Sequence, residues 1–161
     1  MKKYELTEET VTVYGKTLYR IRAVRDFGSV KTGEFGGYIE KEENLSHFDN
    51  AWVYGNAKVY GNAKVYGDAR VSGNAWVYGN AEVFNTRHFF VQGPIGSRDG
   101  YVTFYRTKDD TVEVRCGCFS GSLQEFVNQV EETHGGSRYE KEYKLAAELA
   151  KVCIRLEGES R

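Results

Sequence analysis

The segment from Ala51 to Phe84 repeats one six-residue pattern of apolar and polar positions, A-x-V-Y-G-N. Alanine occupies positions 51, 57, 63, 69, 75 and 81, a valine follows each alanine by two residues, and glycine stands at 55, 61, 67, 73 and 79. Because side chains alternate between the two faces of a β-strand, the alanine, valine and glycine of one repeat share a face. That face is predicted to be interior, since the other positions carry charged, amide or aromatic side chains.

The repeat predicts a short strand and a turn every six residues. Glycine accepts a positive φ freely and asparagine or aspartate tolerates it, so each Gly-Asn or Gly-Asp pair is predicted to form the turn. Short strands at a fixed short period are typical of solenoids. We therefore predict a mainly β fold built on a short triangular parallel β-helix that spans residues 37–86, with an antiparallel meander as the alternative.

Three repeats per coil would place residues eighteen positions apart on top of one another. This register predicts two amide ladders, Asn56 with Asn74 and Asn62 with Asn80. It also predicts five side-chain pairs: Tyr60 with Tyr78, Tyr66 with Phe84, Lys58 with Trp76, Trp52 with Arg70, and Lys64 with Glu82. The pairs correspond to two aromatic stacks, two cation–π contacts and one ion pair. Upstream, Ile39 and Leu45 fall on the alanine column, and an irregular first coil is predicted there.

The flanking segments predict two caps. Residues 1–36 include TVTVYGKTLYRIRAVRDF, which alternates around a Tyr-Gly-Lys turn and predicts a β-hairpin. Residues 87–161 predict a ββαα-like cap, whose helices begin at the capping boxes Ser122 with Glu125 and Ser137 with Glu140. The last helix is predicted to turn five side chains inward: Tyr143, Ala146, Leu149, Ala150 and Cys153.

Charge and composition argue against several classes of partner. The 161 residues carry a net charge of −1, which attracts neither nucleic acid nor an anionic membrane. No apolar run reaches transmembrane length, and the first residues, MKKYELTEET, lack the apolar segment of a signal peptide. Cys116 and Cys118 are too close for a relaxed disulfide, and their spacing differs from that of C-x-x-C sites. We expect a cytoplasmic protein with reduced thiols.

The repeat resembles that of hexapeptide-repeat proteins with a left-handed β-helix, best known from acyltransferases, although here a tyrosine stands between valine and glycine in most repeats. Nearly the whole chain resembles a group of such proteins from phage, prophage and gut bacterial genomes, through the phrases LYRIRAVRDF, GEFGGYIEKEENLS, VYGNA, GPIGSR and CGCFSGSLQEF. The resemblance implies a left-handed coil and no established enzyme chemistry. Because phage genomes encode many small proteins that block host defence, it also implies an inhibitory or sequestering role in the host cytoplasm.

Few residues are candidates for catalysis. Hexapeptide-repeat acyltransferases use a histidine as general base in a subunit cleft, and His47 and His88 flank the repeat. The related zinc enzymes need three converging histidines, but His134 is predicted at a helix end, where it would neutralise the dipole. Cys118 lies near a predicted helix start that favours a thiolate, without a recognisable histidine–acid partner. We predict no catalytic residue, no metal and no cofactor.

The clearest candidate for ligand binding is the loop Gly96-Ser97-Arg98. A glycine lets the backbone approach an anion, while a hydroxyl and a guanidinium donate hydrogen bonds to it. Arg106 and Arg115, on neighbouring predicted strands, are expected beside this loop. The structural alternative is a plain turn with solvated arginines.

A second candidate is the set of large aromatic side chains predicted to point outward: Tyr54, Tyr60, Tyr66, Trp76 and Tyr78. They either join neighbouring coils or also form a contact surface, and that surface predicts a homo-oligomer, a dimer or trimer. Together these features predict a non-catalytic binding or inhibitory protein that acts on a host protein or a small anionic nucleotide. The alternatives are an acyltransferase that uses acetyl-CoA, or a purely structural module.

Overall fold

The structure is a computed structural model and describes residues 2–158. Its N-terminal part consists of three antiparallel strands, β1 (Tyr4–Val13), β2 (Lys16–Ala23) and β3 (Phe35–Ile39). The predicted hairpin is confirmed, because β1 and β2 are joined by a two-residue turn in which Tyr14 and Gly15 have φ values of 45° and 82°. Turns with two positive φ angles match the right-handed twist of the flanking strands.

The repeat segment forms six strands of two residues each, and these strands pair in parallel. They are β4 (Trp52–Val53), β5 (Lys58–Val59), β6 (Lys64–Val65), β7 (Arg70–Val71), β8 (Trp76–Val77) and β9 (Glu82–Val83). β4 pairs with β7, β5 with β8 and β6 with β9, in each case between residues eighteen positions apart. The alanine and valine columns are at most 1% exposed, and the five repeat glycines have φ between 65° and 68°. The predicted alanine and valine columns, the turns and the eighteen-residue pairing are confirmed. The predicted interior position of the glycines is wrong, because none of the five is buried.

The predicted fold class is nevertheless wrong. The strands belong to several separate small sheets: a mixed sheet in the order β1-β2-β3-β5-β8, the two-stranded sheets β4-β7 and β6-β9, and one C-terminal antiparallel sheet. Within residues 2–158, no solenoid or parallel β-helix is indicated. Each repeat offers only two residues to a ladder, so the widest sheet is built by the long N-terminal strands, which join the repeat through β3. A mainly β fold of small sheets with two helices replaces the triangular left-handed β-helix between two caps.

The register predicted for the first irregular segment is also wrong. Ile39 pairs with Val59, and Leu45 with Val65, so both lie on the valine column and are twenty positions from their partners. Leu45 and Val53 are eight positions apart, whereas the repeat has six. The two additional residues between them shift the register.

β3 approaches the repeat strands closely at Gly36 and Gly37. A Cβ atom at Gly37 would lie 2.6 Å from the carbonyl oxygen of Ala57, and one at Gly36 would overlap the carbonyl oxygen of Val53. A change of rotamer cannot relieve a contact with backbone, so no side chain fits at either position. These glycines allow the N-terminal sheet to join the repeat.

The C-terminal part is a four-stranded antiparallel sheet followed by two helices. Its elements are β10 (Phe89–Ile95), β11 (Gly100–Arg106), β12 (Val112–Cys116), β13 (Phe119–Ser122), α1 (Leu123–His134) and α2 (Arg138–Cys153). Alternation along β11 turns Phe104 toward the helices and Tyr105 toward the repeat, and both side chains are 0% exposed. The backbone amide of Trp76 also donates to Thr103 Oγ1 at 2.9 Å. The sheet therefore packs on the helices with one face and on the repeat with the other.

The helix boundaries test the capping predictions. The box at α1 is confirmed: Ser122 Oγ accepts from the amide of Glu125, and the Glu125 carboxylate accepts from the amide of Ser122. The box at α2 is wrong, because the Ser137 hydroxyl donates to the carbonyl of His134 instead of capping its own helix. Leu149 was predicted to face inward but is 46% exposed.

No helix within residues 2–158 combines the length and the apolar character that crossing a membrane requires.

Candidate ligand-binding site

A cavity of about 640 Å³ opens at one end of the C-terminal sheet. The antiparallel order β10-β11-β12-β13 places two turns at this end, the loop 96–99 between β10 and β11 and the turn 117–118 between β12 and β13. Residues of α1 and α2 form another part of the wall, and Asn74 and Trp76 of the repeat complete it. The cavity thus brings together three parts of the chain that are distant in sequence.

The loop 96–99 is held against α2. Gly96 has a φ of 80°, and its amide donates to Glu142 Oε1 at 2.7 Å. A Cβ atom at Gly96 would overlap the hydroxyl group of Tyr143, so a glycine is required for this approach. Gly96 therefore positions the loop, while Ser97 and Arg98, both exposed, line the cavity.

Arg115 is the second arginine that lines the cavity, and it is only 7% exposed. The centre of its guanidinium lies 4.8 Å from the ring centroid of Tyr78, 5.0 Å from that of Tyr14 and 5.8 Å from that of Tyr60. Within residues 2–158 it forms no ion pair with a carboxylate, and its Nε has no hydrogen-bond partner. The cation is therefore buried among aromatic rings without a counter-charge.

Aromatic and apolar side chains form most of the remaining wall. The larger ones are Trp76, Tyr101, Phe119, Phe126 and Tyr143. Polar groups are contributed by Asn74, Gln129, Thr133 and His134. Such a wall suits a ligand with a flat ring and a few polar groups.

Cys116 and Cys118 also line the cavity, on either side of Gly117. Burial raises the pKa of the Cys116 thiol, so this thiol stays protonated near neutral pH and is a poor nucleophile. Cys118 is exposed in the turn between β12 and β13. In the described part of the chain, no group of three or more His, Cys, Asp or Glu residues could hold a metal ion.

Arg106 does not reach the cavity, although it was expected beside Arg98. It lies at the opposite end of β11, where its Nε is 3.0 Å from an oxygen of Asp110 and its Nη1 donates to the carbonyl of Glu82 at 2.9 Å. A second carboxylate, that of Glu157, lies 3.4 Å from its Nη2. Its charge is thus fully engaged within the fold.

The aromatic columns of the repeat are less exposed than predicted. Tyr60 is 1% exposed, Tyr66 and Tyr78 are half-buried, and Tyr54 alone of the four is clearly exposed, at 37%. The stack of Tyr60 with Tyr78 is confirmed at 4.7 Å between centroids. The hairpin of β1 and β2 covers Tyr60. The exposed aromatic surface from which an oligomer was predicted is therefore much smaller than expected.

The other predicted contacts have mixed outcomes. Tyr66 stacks on Phe84, and Lys58 Nζ lies 5.7 Å from the ring of Trp76, so both contacts are confirmed. The cation–π contact of Trp52 with Arg70 is wrong for the described residues: the Trp52 ring packs against Phe27 instead, and Arg70 donates to Ser29. Lys64 and Glu82 pair through their backbones, but within residues 2–158 their side chains form no ion pair.

Sequence reasoning missed two contributors to the site. Tyr14, at the tip of the N-terminal hairpin, lies over Arg115 and packs edge-on against Trp76 with 6.1 Å between centroids. Tyr101 lines the cavity and is 43% exposed. An aromatic residue in a turn was the available signal for Tyr14, but nothing in the sequence places the hairpin tip beside β12.

A comparison of the chain with models of known protein families found no match. A search of curated proteins found none either.

Proposed function

We propose that this chain is a non-catalytic binding protein that holds a small anionic nucleotide in the cavity at the end of the C-terminal sheet. The observation that carries the proposal is the meeting of Arg98 and Arg115 with an aromatic wall in one cavity of about 640 Å³. A guanidinium presents a planar fork that matches the oxygens of a phosphate. The aromatic side chains offer faces on which a base can stack.

The histidines favour binding over acyl transfer. His47 Nδ1 accepts from the amide of Lys3 and its Nε2 is 2.8 Å from a carboxylate oxygen of Glu42. His88 is buried, and its Nδ1 accepts from the amide of Phe84. Both rings hold backbone in place, which does not suit a general base that must exchange protons with a substrate.

The setting that we propose is the cytoplasm of a host cell, with the protein acting as a phage-encoded inhibitor that removes a nucleotide signal by sequestration. Support comes from the resemblance of the chain to phage hexapeptide-repeat proteins. A sequestering protein needs a pre-formed cavity with hydrogen-bond donors, but it needs no reactive group. The cavity described above is lined by such donors.

The test is calorimetric binding of a panel that contains AMP, cyclic AMP, a cyclic dinucleotide, adenosine and acetyl-CoA. We expect at least one phosphorylated nucleotide to bind, and Arg98→Ala to weaken that binding about tenfold, the effect of one charge-assisted hydrogen bond. Arg87→Ala is the matched control, because Arg87 is also exposed and does not line the cavity. Its affinity should equal that of the wild type.

Two outcomes would contradict the proposal. In the first, no nucleotide binds at about millimolar concentration. In the second, acetyl-CoA alone binds and its acetyl group is transferred to an acceptor, which would establish the acyltransferase alternative.

A further inference from the structure

We infer that Arg115 is the anion receptor of the cavity and that its ligand carries a phosphoryl group. The inference rests on the proposed function for the existence of a ligand, and it adds which group of the ligand is recognised and which of the two arginines is the main receptor. It is carried by a comparison of the cations that this fold buries.

Three cationic side chains are buried in the described part of the chain: Lys3, Arg106 and Arg115. Lys3 Nζ donates to the carbonyls of Asp49 and Ala51 and lies 3.6 Å from the Asp49 carboxylate. Arg106 has Asp110 at 3.0 Å and a second carboxylate near its Nη2. Arg115 differs from both, since within residues 2–158 no carboxylate pairs with it and its Nε has no hydrogen-bond partner.

The Tyr60 hydroxyl is a second buried polar group beside Arg115. Among residues 2–158, two buried side-chain polar atoms have no hydrogen-bond partner, Arg115 Nε and the Tyr60 hydroxyl oxygen. They belong to side chains in contact, because the Arg115 guanidinium lies 5.8 Å from the Tyr60 ring. Burial raises the pKa of Tyr60 to about 12, and an interaction between its hydroxyl and Arg115 opposes that rise, so the two groups partly satisfy each other. The feature that points to a ligand is therefore that, among residues 2–158, this buried cation of the cavity wall has no carboxylate beside it.

The charge of Arg115 decides what that ligand is. A guanidinium has only donors and is always positive, so its missing partner must accept hydrogen bonds and is favoured if it is negative. The faces of Tyr14, Tyr60 and Tyr78 stabilise the cation in part, which explains why the fold tolerates it. They cannot accept hydrogen bonds as an oxygen does, so the guanidinium, which lines the cavity, still lacks an anionic acceptor among residues 2–158.

Arg98 explains why a phosphoryl group fits better than a single carboxylate. The cavity contains two guanidinium groups, one buried on β12 and one exposed on the loop 96–99. Two forks match a group that has three oxygens and up to two negative charges. Ser97, beside Arg98, adds a hydroxyl donor.

The experiment compares Arg115→Met with Arg106→Met, because both arginines are buried and only Arg106 is ion-paired. Without ligand, Arg115→Met should melt at the temperature of the wild type or above it, since an unpaired buried charge is removed. Arg106→Met should melt several degrees lower, because it leaves two carboxylates without their partner. Melting is followed with inorganic pyrophosphate, AMP or adenosine present, at constant ionic strength.

Pyrophosphate and AMP should raise the melting temperature of the wild type, and the affinity of Arg115→Met for both should be roughly 10- to 100-fold lower. Adenosine should bind the wild type and Arg115→Met equally. Arg115→Lys, which keeps the charge but lacks the fork, should fold and bind pyrophosphate more weakly than the wild type. This second variant keeps the test decisive if Arg115→Met does not fold.

The possible failures are distinguishable. If the wild type binds AMP and Arg115→Met binds it as tightly, the inference is wrong while the proposed function stands. Full pyrophosphate affinity in Arg115→Lys would also overturn the inference. If the wild type binds no phosphate compound at all, both the inference and the proposed function fail.

Discussion

Single buried side chains determine how the stability of this protein depends on pH. His88 is 4% exposed, and burial, together with the nearby charge of Arg106, lowers its pKa. The unfolded chain therefore takes up a proton near the ordinary histidine pKa of about 6.5, whereas the folded chain resists protonation. As a result, the contribution of neutral His88 to the free energy of unfolding is complete above that pH and is lost as the pH falls below it.

We expect the urea concentration at the unfolding midpoint of the wild type to decrease when the pH is lowered from 7.5 to 5.5. The decrease should be smaller in His88→Asn. Other groups also contribute to the pH dependence, among them Glu113, because burial raises the pKa of its carboxyl group. The difference between wild type and variant isolates His88, since the remaining groups are common to both. Equal pH dependence in the two proteins would show that His88 makes no contribution.

At the scale of single residues, the sequence predicted most members of the anion site but misplaced one of its arginines. Ser97, Arg98 and Arg115 were expected at one anion site, and they line one cavity. Arg106 was expected with them, but it is paired with Asp110 instead. The partner of Arg106 was available in the local sequence, because Asp110 is only four residues away. The surroundings of Arg115 were not, because Tyr14, which packs against it, belongs to a distant hairpin.

At the scale of secondary structure elements, the repeat turns differ in how closely the next strand approaches them. Gly67 and Gly73 have φ values of 65° and 68°, so a side chain at either position is strained by about 1–2 kcal/mol. A Cβ atom at Gly67 would lie 2.8 Å from the carbonyl oxygen of Phe84, whereas one at Gly73 would contact nothing within 4 Å. A comparison of alanine substitutions at the two positions therefore distinguishes the cost of backbone strain from the cost of steric overlap with the neighbouring strand.

Gly73→Ala should therefore lower the free energy of unfolding by roughly 1–2 kcal/mol, and Gly67→Ala by roughly 2–5 kcal/mol, because overpacking adds to the strain. Urea unfolding of the two variants measures the difference. Equal losses would mean that the strand at Phe84 moves freely aside.

The six-residue pattern was sufficient to predict which repeat residues pair, because the pairing follows from the period alone. It could not predict which sheets the ladders join. That outcome depends on β3, whose pairing is shifted by two residues through the irregular segment after Leu45. It also depends on two-residue strands being too short to form a wide sheet by themselves.

At the scale of the whole molecule, Tyr105 connects the C-terminal sheet to the core of the repeat, where it is 0% exposed. Tyr105→Ala should cost about 3–5 kcal/mol, as removal of a large buried aromatic ring does. It should also uncouple the two parts of the chain. Tyr105→Phe keeps the ring and loses a hydroxyl that is 3.5 Å from Glu113, so it should behave like the wild type.

The tryptophans and the α-helices make this coupling measurable. Trp52 and Trp76 lie in the repeat, while α1 and α2 lie in the C-terminal part. In the wild type, tryptophan fluorescence and far-ultraviolet circular dichroism should report one transition in urea, as expected of a cooperative domain. In Tyr105→Ala the two signals should separate, and coincident transitions in that variant would show that the parts are coupled elsewhere.

The close approach of β3 to the repeat at Gly36 and Gly37 limits which positions of this protein can change during evolution. Neither glycine lines the cavity, so the cavity wall can exchange residues and acquire new ligands while the attachment of the N-terminal sheet stays the same. A lineage that replaces either glycine must rebuild its largest sheet. Relatives that have changed their ligand should therefore be recognisable by an inherited glycine pair that touches no ligand.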